Sequence, residues 1–193
     1  RIGEREPAMG LRGIPETEVY FEDLEVPVDM AVIPPRGIRH GFAGLMDAYN
    51  GQRVGAGTVG LGIAAGAYET ALAFVQEREQ FGRPICEFQG LQWMLVDNDI
   101  DIKQSLWIVL EAAEKAQRGD PFRKEAAMAK LVATEAGGRV VDRCMQMFGG
   151  LGVAKDLPLE RWFREMRIRR IGEGPSEVQR HVIARELLGS SLR

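Results

Sequence analysis

Glu173 stands between Gly172 and Gly174, and a helical pattern opens at Ser176. A carboxylate between two glycines lets a ligand approach the backbone closely, and free N–H groups at a helix start can meet an anion or a carbonyl. An isolated Glu-Gly pair, by contrast, more often lies in a surface loop. Gly55-Ala-Gly57-Thr-Val-Gly60 matches GxGxxG, but no strand precedes it, so it reads as close helix packing rather than a dinucleotide turn. Asp97-Asn98-Asp99-Ile100-Asp101 imitates a calcium loop. Ile102 and Ile108 fill the positions that need glycine and glutamate, which leaves a solvated helix edge. His40 and His181 have no metal-ligand spacing, and no metal site is expected. Arg161, Arg164, Arg167, Arg169 and Arg170 read as a solvated, salt-bridged helix face.

These residues must be positioned by long helices. Composition changes at Pro34-Pro35: before it, Glu18 to Val26 reads as one or two short strands; after it, helix formers dominate. The first helix runs from about Ile38 to Glu77 and is rich in glycine and alanine. A second, about Phe88 to Arg118, sets Leu91, Leu95, Ile102, Leu106 and Val109 on one face and ends at Gly119. A third opens with Asp120 as N-cap and Pro121 at the first helical position, and stops at Gly149-Gly150. A short fourth helix follows Pro158, and a fifth runs from Ser176, as cap, to about Leu188. Short connections predict an antiparallel bundle.

Composition sets the outer bounds. The 193 residues carry 25 Lys+Arg and 28 Asp+Glu, a net charge of -3, and are 45% hydrophobic. That is ordinary for a folded domain and lacks the basic excess of a nucleic-acid binder. Cys86 and Cys144 show no CxxC spacing, which excludes a disulfide framework and suits a reducing compartment. Val54 to Tyr68 is uncharged but short of the roughly 20 residues of a membrane span, so it reads as a buried helix.

Three motifs in order carry a family resemblance. Glu173-Gly174-x-Ser176-Glu177-x-Gln179-Arg180 with Ile183-Ala184-Arg185 closely resembles the C-terminal signature of acyl-CoA dehydrogenases. Arg78-Glu-Gln80-Phe81-Gly82-Arg-Pro84 leading to Phe88-Gln89, and Gln146-Met-Phe148-Gly149-Gly150-Leu-Gly152, resemble two more of the family's motifs. The resemblance implies a mainly α fold, with residues 1–35 as the end of a middle β-domain and 36–193 as the C-terminal helical bundle. The family's N-terminal domain and most of its β-domain would then lie outside this sequence, and the chain alone is expected to be inactive.

The resemblance also implies chemistry. Family enzymes bind FAD and introduce a Cα–Cβ double bond into an acyl-CoA thioester. Glu173 would be the base that removes the α-proton; some relatives place it at the position matching Gln52, and glutamine cannot take a proton. By the same analogy Asn50, Arg53 and Gly174 would contact substrate, while Arg78, Phe81, Phe88, Gln89, Gln146, Gly149, Gly150, Ser176 and Glu177 would contact FAD. Arg78 and Gln89 would reach the FAD of a neighbouring subunit, and the arginine fork suits a diphosphate. Pro175 stands where most members have threonine, and Asn50 where an acidic residue is common. Implied partners are acyl-CoA, an electron-transfer flavoprotein as acceptor, and further copies of the chain in a dimer or tetramer. The implied location is a bacterial cytoplasm or, in a eukaryote, the mitochondrial matrix. An oxidase or desulfinase of the same fold, or a non-catalytic helical oligomerisation module, remains open.

Overall fold

Glycine and proline punctuate the chain largely where the spacing predicts. The computed structural model describes residues 1–191. Its α-helices there are α1 (Gly41–Glu77), α2 (Gln89–Arg118), α3 (Arg123–Phe148), α4 (Leu159–Arg169) and α5 (Ser176–Leu188). Strands β1 (Ile2–Arg5) and β2 (Thr17–Val19) pair antiparallel, Ile2 opposite Val19 and Arg5 opposite Thr17. A second ribbon pairs β3 (Glu79–Gln80) with β4 (Arg83–Pro84).

The element ends have local causes. Gly119 adopts φ 74°, and the N–H groups of Gly119 and Asp120 donate to Ala116 O and Lys115 O, which closes α2 in a Schellman motif. That closure corrects the expected start of α3. Asp120 belongs to the end of α2, where its carboxylate accepts from Arg118 Nε at 2.9 Å, so α3 begins at Arg123 without a side-chain cap. Ser176 does not cap α5 either; its hydroxyl donates to Glu135 Oε1 at 2.6 Å and ties α5 to α3. Between β3 and β4, Phe81 (φ 55°) and Gly82 (φ 78°) are both left-handed, the backbone that a type I′ hairpin turn requires.

Helix α3 is central. Gly57 of α1 lies on Ala129, Gly60 on Ala133, and Phe74 stacks on Phe148 with ring centroids 3.9 Å apart. The two helices therefore run in the same direction. Helix α2 runs antiparallel to α3 and packs on another side of it, with Asn98 near Cys144, Asp101 on Arg139, and Lys115 on Glu125. By length and composition α1 could cross a membrane. Here its Ala64, Ala67, Ala71 and Val75 are buried in the main core with Val140, Cys144 and Leu159 of the neighbouring helices, as a core helix requires.

Two expectations are corrected by burial. Asn98 and Asp101 are buried rather than on a solvated edge, because Arg139 and Arg143 of α3 reach across to them. Leu106 is exposed, and Ser105 takes the inward position beside it. The expected strand near Val26 is absent; the partner of β2 is β1, whose Ile2-Gly-Glu-Arg5 carries no alternating apolar pattern.

Candidate functional site

The turn that carries Glu173 is pinned from below. It leaves α4 at Arg170 and enters α5 at Ser176, with Glu173 at φ 51° and Gly174 at φ 97°. Left-handed backbone is costly for a residue with a Cβ unless its surroundings hold it. Gln179, fully buried, supplies that hold: its Nε2 donates to Glu173 O at 3.2 Å and to Gly174 O at 2.9 Å. A Cβ at position 174 would come within 2.5 Å of that same nitrogen, so only glycine fits.

Helix α3 holds the two ends of the turn. The Nζ of Lys130, also fully buried, donates to Arg170 O at 3.2 Å, and Ser176 N donates to the same oxygen at 3.3 Å. Glu135 accepts from the Ser176 hydroxyl and pairs with Arg170 at 2.7 Å. Burial works against the charged Glu135 carboxylate, but the Ser176 and Arg170 hydrogen bonds outweigh it and hold its pKa below the ordinary range. Burial pushes Lys130 down, opposed by the negative charges of Glu173, Glu135 and Glu177. Glu173 itself is half-buried.

Asn50 and Arg53 lie on α1 one to two turns before Gly57, which packs on the backbone of Ala129 and Lys130. Both are buried, and Arg53 Nη1 donates to Asn50 Oδ1 at 2.7 Å. Arg53 Nε is buried without a partner among the described residues. Burial first and the nearby Arg123 charge second lower the Arg53 pKa. Glu173, Gly174, Ser176 and Glu177 thus form one turn and helix start held on Lys130 and Glu135 of α3, and Asn50 and Arg53 lie on α1 nearer the start of α3.

The other end of α1 holds a second group. A cavity of about 390 Å³ is lined by Arg78, Phe81, Phe88, Gln146, Gly149 and Gly150 together with Phe74 and Leu91. Phe81 meets Phe88 edge-on at 6.1 Å, and the Arg83 guanidinium lies 4.2 Å over the Phe88 ring. Gly149 ends α3 at φ 58°, and a Cβ at Gly149 or Gly150 would meet nothing within 4 Å, so backbone is open to the cavity. Gln89 is the first residue of α2 and is not part of the lining.

The residues expected to hold FAD therefore fall into two sets. Ser176 bonds to Glu135 of α3, and Gln146 lies 11 residues further along the same helix, about 16 Å at 1.5 Å per residue. Ser176 and Glu177 form the first set and the Arg78 cavity forms the second. Lys130, Glu135 and Arg170 were not singled out as site residues by sequence. The one available signal was a lysine inside Ala126-Ala-Met-Ala-Lys130-Leu-Val-Ala133, a run otherwise free of charge.

Comparison with known proteins gives this geometry a context. Residues 39–188 match the model of the acyl-CoA dehydrogenase C-terminal domain. The 3-sulfinopropanoyl-CoA desulfinase of Paraburkholderia xenovorans is 48% identical over 189 residues, 98% of this chain and 48% of that protein. The short-chain specific acyl-CoA dehydrogenase of Clostridium acetobutylicum is 43% identical over 183 residues, 95% of this chain and 48% of that one. The solved butyryl-CoA dehydrogenase of Megasphaera elsdenii superposes with a TM-score of 0.92 at 35% identity, covering 97% of this chain and 48% of its own. The chain spans about half the length of the relatives it matches. With the helical bundle, the Glu173 turn and the Gly149 motif all in place, the chain belongs to the acyl-CoA dehydrogenase family.

Proposed function

We propose that this chain supplies the base and part of the cofactor surface of a flavin-dependent acyl-CoA dehydrogenase. The observation that carries the reading is the Glu173 turn. A half-buried carboxylate sits in left-handed backbone whose carbonyls are fixed by Gln179, a costly arrangement for a loop with no role. In the reaction, Glu173 takes a proton from the substrate α-carbon, and the β-carbon loses a hydride as the Cα–Cβ double bond forms. The substrate is oxidised by two electrons.

Members of this family are FAD-binding flavoproteins. When bound, FAD accepts the hydride. The Arg78 cavity suits part of such a nucleotide. It has a guanidinium fork for a diphosphate, aromatic walls at Phe81 and Phe88, and open glycine backbone at Gly149-Gly150. Phe81 is 93% exposed, an apolar surface that a cofactor or a neighbouring subunit would cover. At the other end, Arg53 and Asn50 would orient the acyl-CoA and Gly174 would leave room beside the thioester. An electron-transfer flavoprotein as acceptor and a homo-oligomer complete the proposal. Helix α2 supports the oligomer: Trp93, Val96, Ile100, Trp107 and Leu110 recur at coiled-coil spacing and are exposed in the single chain.

A second reading is favoured by the 48% identity to the desulfinase. It places 3-sulfinopropanoyl-CoA in the same site, where the C–S bond is cleaved with water, the carbon gains a proton and the sulfur leaves as sulfite. One experiment addresses both. The complete protein is mixed rapidly with an acyl-CoA panel while flavin absorbance is followed, and sulfite is assayed after addition of 3-sulfinopropanoyl-CoA. Flavin reduction by a saturated acyl-CoA supports the dehydrogenase, whereas sulfite release without it supports the desulfinase. Glu173→Gln keeps size and removes basicity, so it should slow flavin reduction by about 10² to 10⁴ while acyl-CoA still binds. Reduction at the wild-type rate would remove Glu173 from the role of base.

A further inference from the structure

Lys130 is the buried cation that the proposed chemistry leaves unused. Its side chain is fully buried on an alanine face of α3, with Ala126, Ala127, Ala129 and Ala133 around it in sequence. Burying an ammonium is expensive unless it is paired and hydrogen-bonded. Its hydrogen bond runs to Arg170 O, the carbonyl that closes α4 and begins the Glu173 turn. That oxygen also accepts the first N–H of α5, so a single acceptor joins the helix before the turn to the helix after it. Among the charges that favour the ammonium, Glu173 is the largest, ahead of Glu135 and Glu177. Glu135 is already engaged by Ser176 and Arg170, and Glu177 is exposed. The one half-buried carboxylate beside Lys130 that has no side-chain partner among the described residues is Glu173.

We propose that Lys130 is a positioning residue for Glu173: from beneath the turn it fixes the Arg170 carbonyl and thereby aims the Glu173 carboxylate. The proposal rests on the reading of Glu173 as the base. Lys130 is fully buried with its hydrogen bond on Arg170 O, so it acts through the turn. Gln179 fixes the carbonyls of Glu173 and Gly174 from one side, and Lys130 fixes the carbonyl three residues upstream from the other. With both held, the left-handed Glu173 has one orientation relative to α3 rather than several. A displacement of about 1 Å in a reacting group can cost about 10² in rate, so such a clamp has catalytic weight without contact.

The test uses the complete flavin-loaded protein and reads α-proton abstraction separately from turnover. An acyl-CoA is incubated anaerobically in D₂O without an electron acceptor, and deuterium at the α-carbon is followed by mass spectrometry. Lys130→Met should lower the exchange rate by about 10- to 100-fold. Acyl-CoA Kd should stay within about twofold and flavin content should be unchanged, because Lys130 is fully buried and acts through the turn. A merely structural role would weaken binding and exchange together. Lys130→Gln keeps a donor for Arg170 O and serves if the methionine variant does not fold; it should retain more exchange than the methionine variant but less than wild type. Exchange at the wild-type rate in Lys130→Met, or parallel loss of Kd and flavin, would overturn the proposal. Failure of both variants to fold would assign Lys130 to the fold alone and overturn it too. Glu173→Gln run alongside keeps the two readings apart: wild-type exchange there removes the base itself, whereas lost exchange there with normal exchange in Lys130→Met removes only the clamp.

Discussion

Helix α3 is packed on its two sides by different chemistry. Toward α1 the contact is made of small residues: Gly57, Gly60 and Gly137 bring backbone against backbone, and a Cβ at Gly57 would lie 2.9 Å from Ala129 O. Toward α2 a polar stretch is added to an apolar one: Asn98 and Asp101 are buried and bonded to Arg143 and Arg139, while Val109 and Ala112 pack on Ala129 and Ala133. The small-residue seam leaves little freedom in the placing of one helix on the other, because close-packed backbones tolerate few offsets. The polar seam sets register by direction and charge. The candidate site follows that division. Asn50 and Arg53 ride on α1 with Arg78 just past its end, and Lys130, Glu135 and Gln146 ride on α3, while α2 contributes Gln89 and, in the cavity wall, Leu91. The proposed site residues thus ride mostly on the two helices whose seam has the least play. Helix α2 braces it and turns Trp93 and Trp107 outward, 62% and 69% exposed.

The polar seam gives the largest expected effect on stability. Asp101 Oδ1 accepts from Arg139 at 2.6 Å, and Oδ2 accepts from Arg143 at 2.8 Å. Burial opposes the charged Asp101 carboxylate, yet the two guanidinium groups outweigh burial and hold its pKa below the usual range. Asp101→Ala would take the carboxylate from Arg139 and leave Arg143 with Asn98 and the more distant Asp97. Removing one member of a buried pair costs about 3–5 kcal/mol, and the half-exposed Arg139 reduces that to about 2–4 kcal/mol. The sign of the pH dependence follows from the depressed pKa. The contribution is fully present above the ordinary aspartate pKa of about 4 and fades as pH falls through the lower folded value. Urea unfolding of wild type and variant at pH 7 and in acid checks this: a gap that stays constant into acid would show that charge is not what holds the seam.

The small-residue seam should respond next, and with opposite signs at two glycines five residues apart. Gly57→Ala drives a methyl against the Ala129 carbonyl, and overpacking of that kind costs about 1–3 kcal/mol against a helix-propensity gain of up to about 1 kcal/mol. Gly62 has nothing within 4 Å of its Cβ position, so Gly62→Ala should gain about 0.5–1 kcal/mol. At about 2–4 °C per kcal/mol for a domain of this size, thermal midpoints should separate the pair. Equal shifts of the same sign would mean that α1 does not sit on α3 by backbone contact.

These contrasts show how far the sequence could be read. Helix stops were legible because they are local: Gly119 and Gly149 adopt the positive φ that glycine tolerates, and Pro158 precedes α4. The turn at Glu173 was legible as a break between helices because its glycines and Ser176 are contiguous in sequence. Asp101 was not, since its burial depends on Arg139 and Arg143, 38 and 42 residues away, and no local spacing announces them. Lys130 escaped for the same reason, its partner being a backbone carbonyl 40 residues on. The β3–β4 ribbon escaped because two-residue strands carry no periodicity, and its turn places Phe81 where asparagine or glycine is the usual signal.

Arg78 lies beyond both seams, at the end of α1, and should affect the fold least. It is exposed on the rim of the 390 Å³ cavity, and its own backbone N–H is already satisfied by Phe74 O at 2.9 Å. Arg78→Ala removes a solvated side chain and leaves α1, the ribbon and the Phe74–Phe148 stack untouched, so stability should change by no more than about 0.5 kcal/mol. Flavin retention should fall, because the variant loses the one guanidinium on this cavity's lining that could hold a diphosphate with a bidentate fork. Gel filtration of the complete protein followed by absorbance at the flavin band measures retention, and thermal unfolding of the flavin-free forms measures the fold, since bound flavin would itself raise the midpoint. Flavin lost with an unchanged midpoint supports a cofactor surface separate from the packing that positions Glu173. Flavin retained would move the diphosphate away from Arg78, and a midpoint lowered as far as in Gly57→Ala would tie Arg78 to the small-residue seam after all.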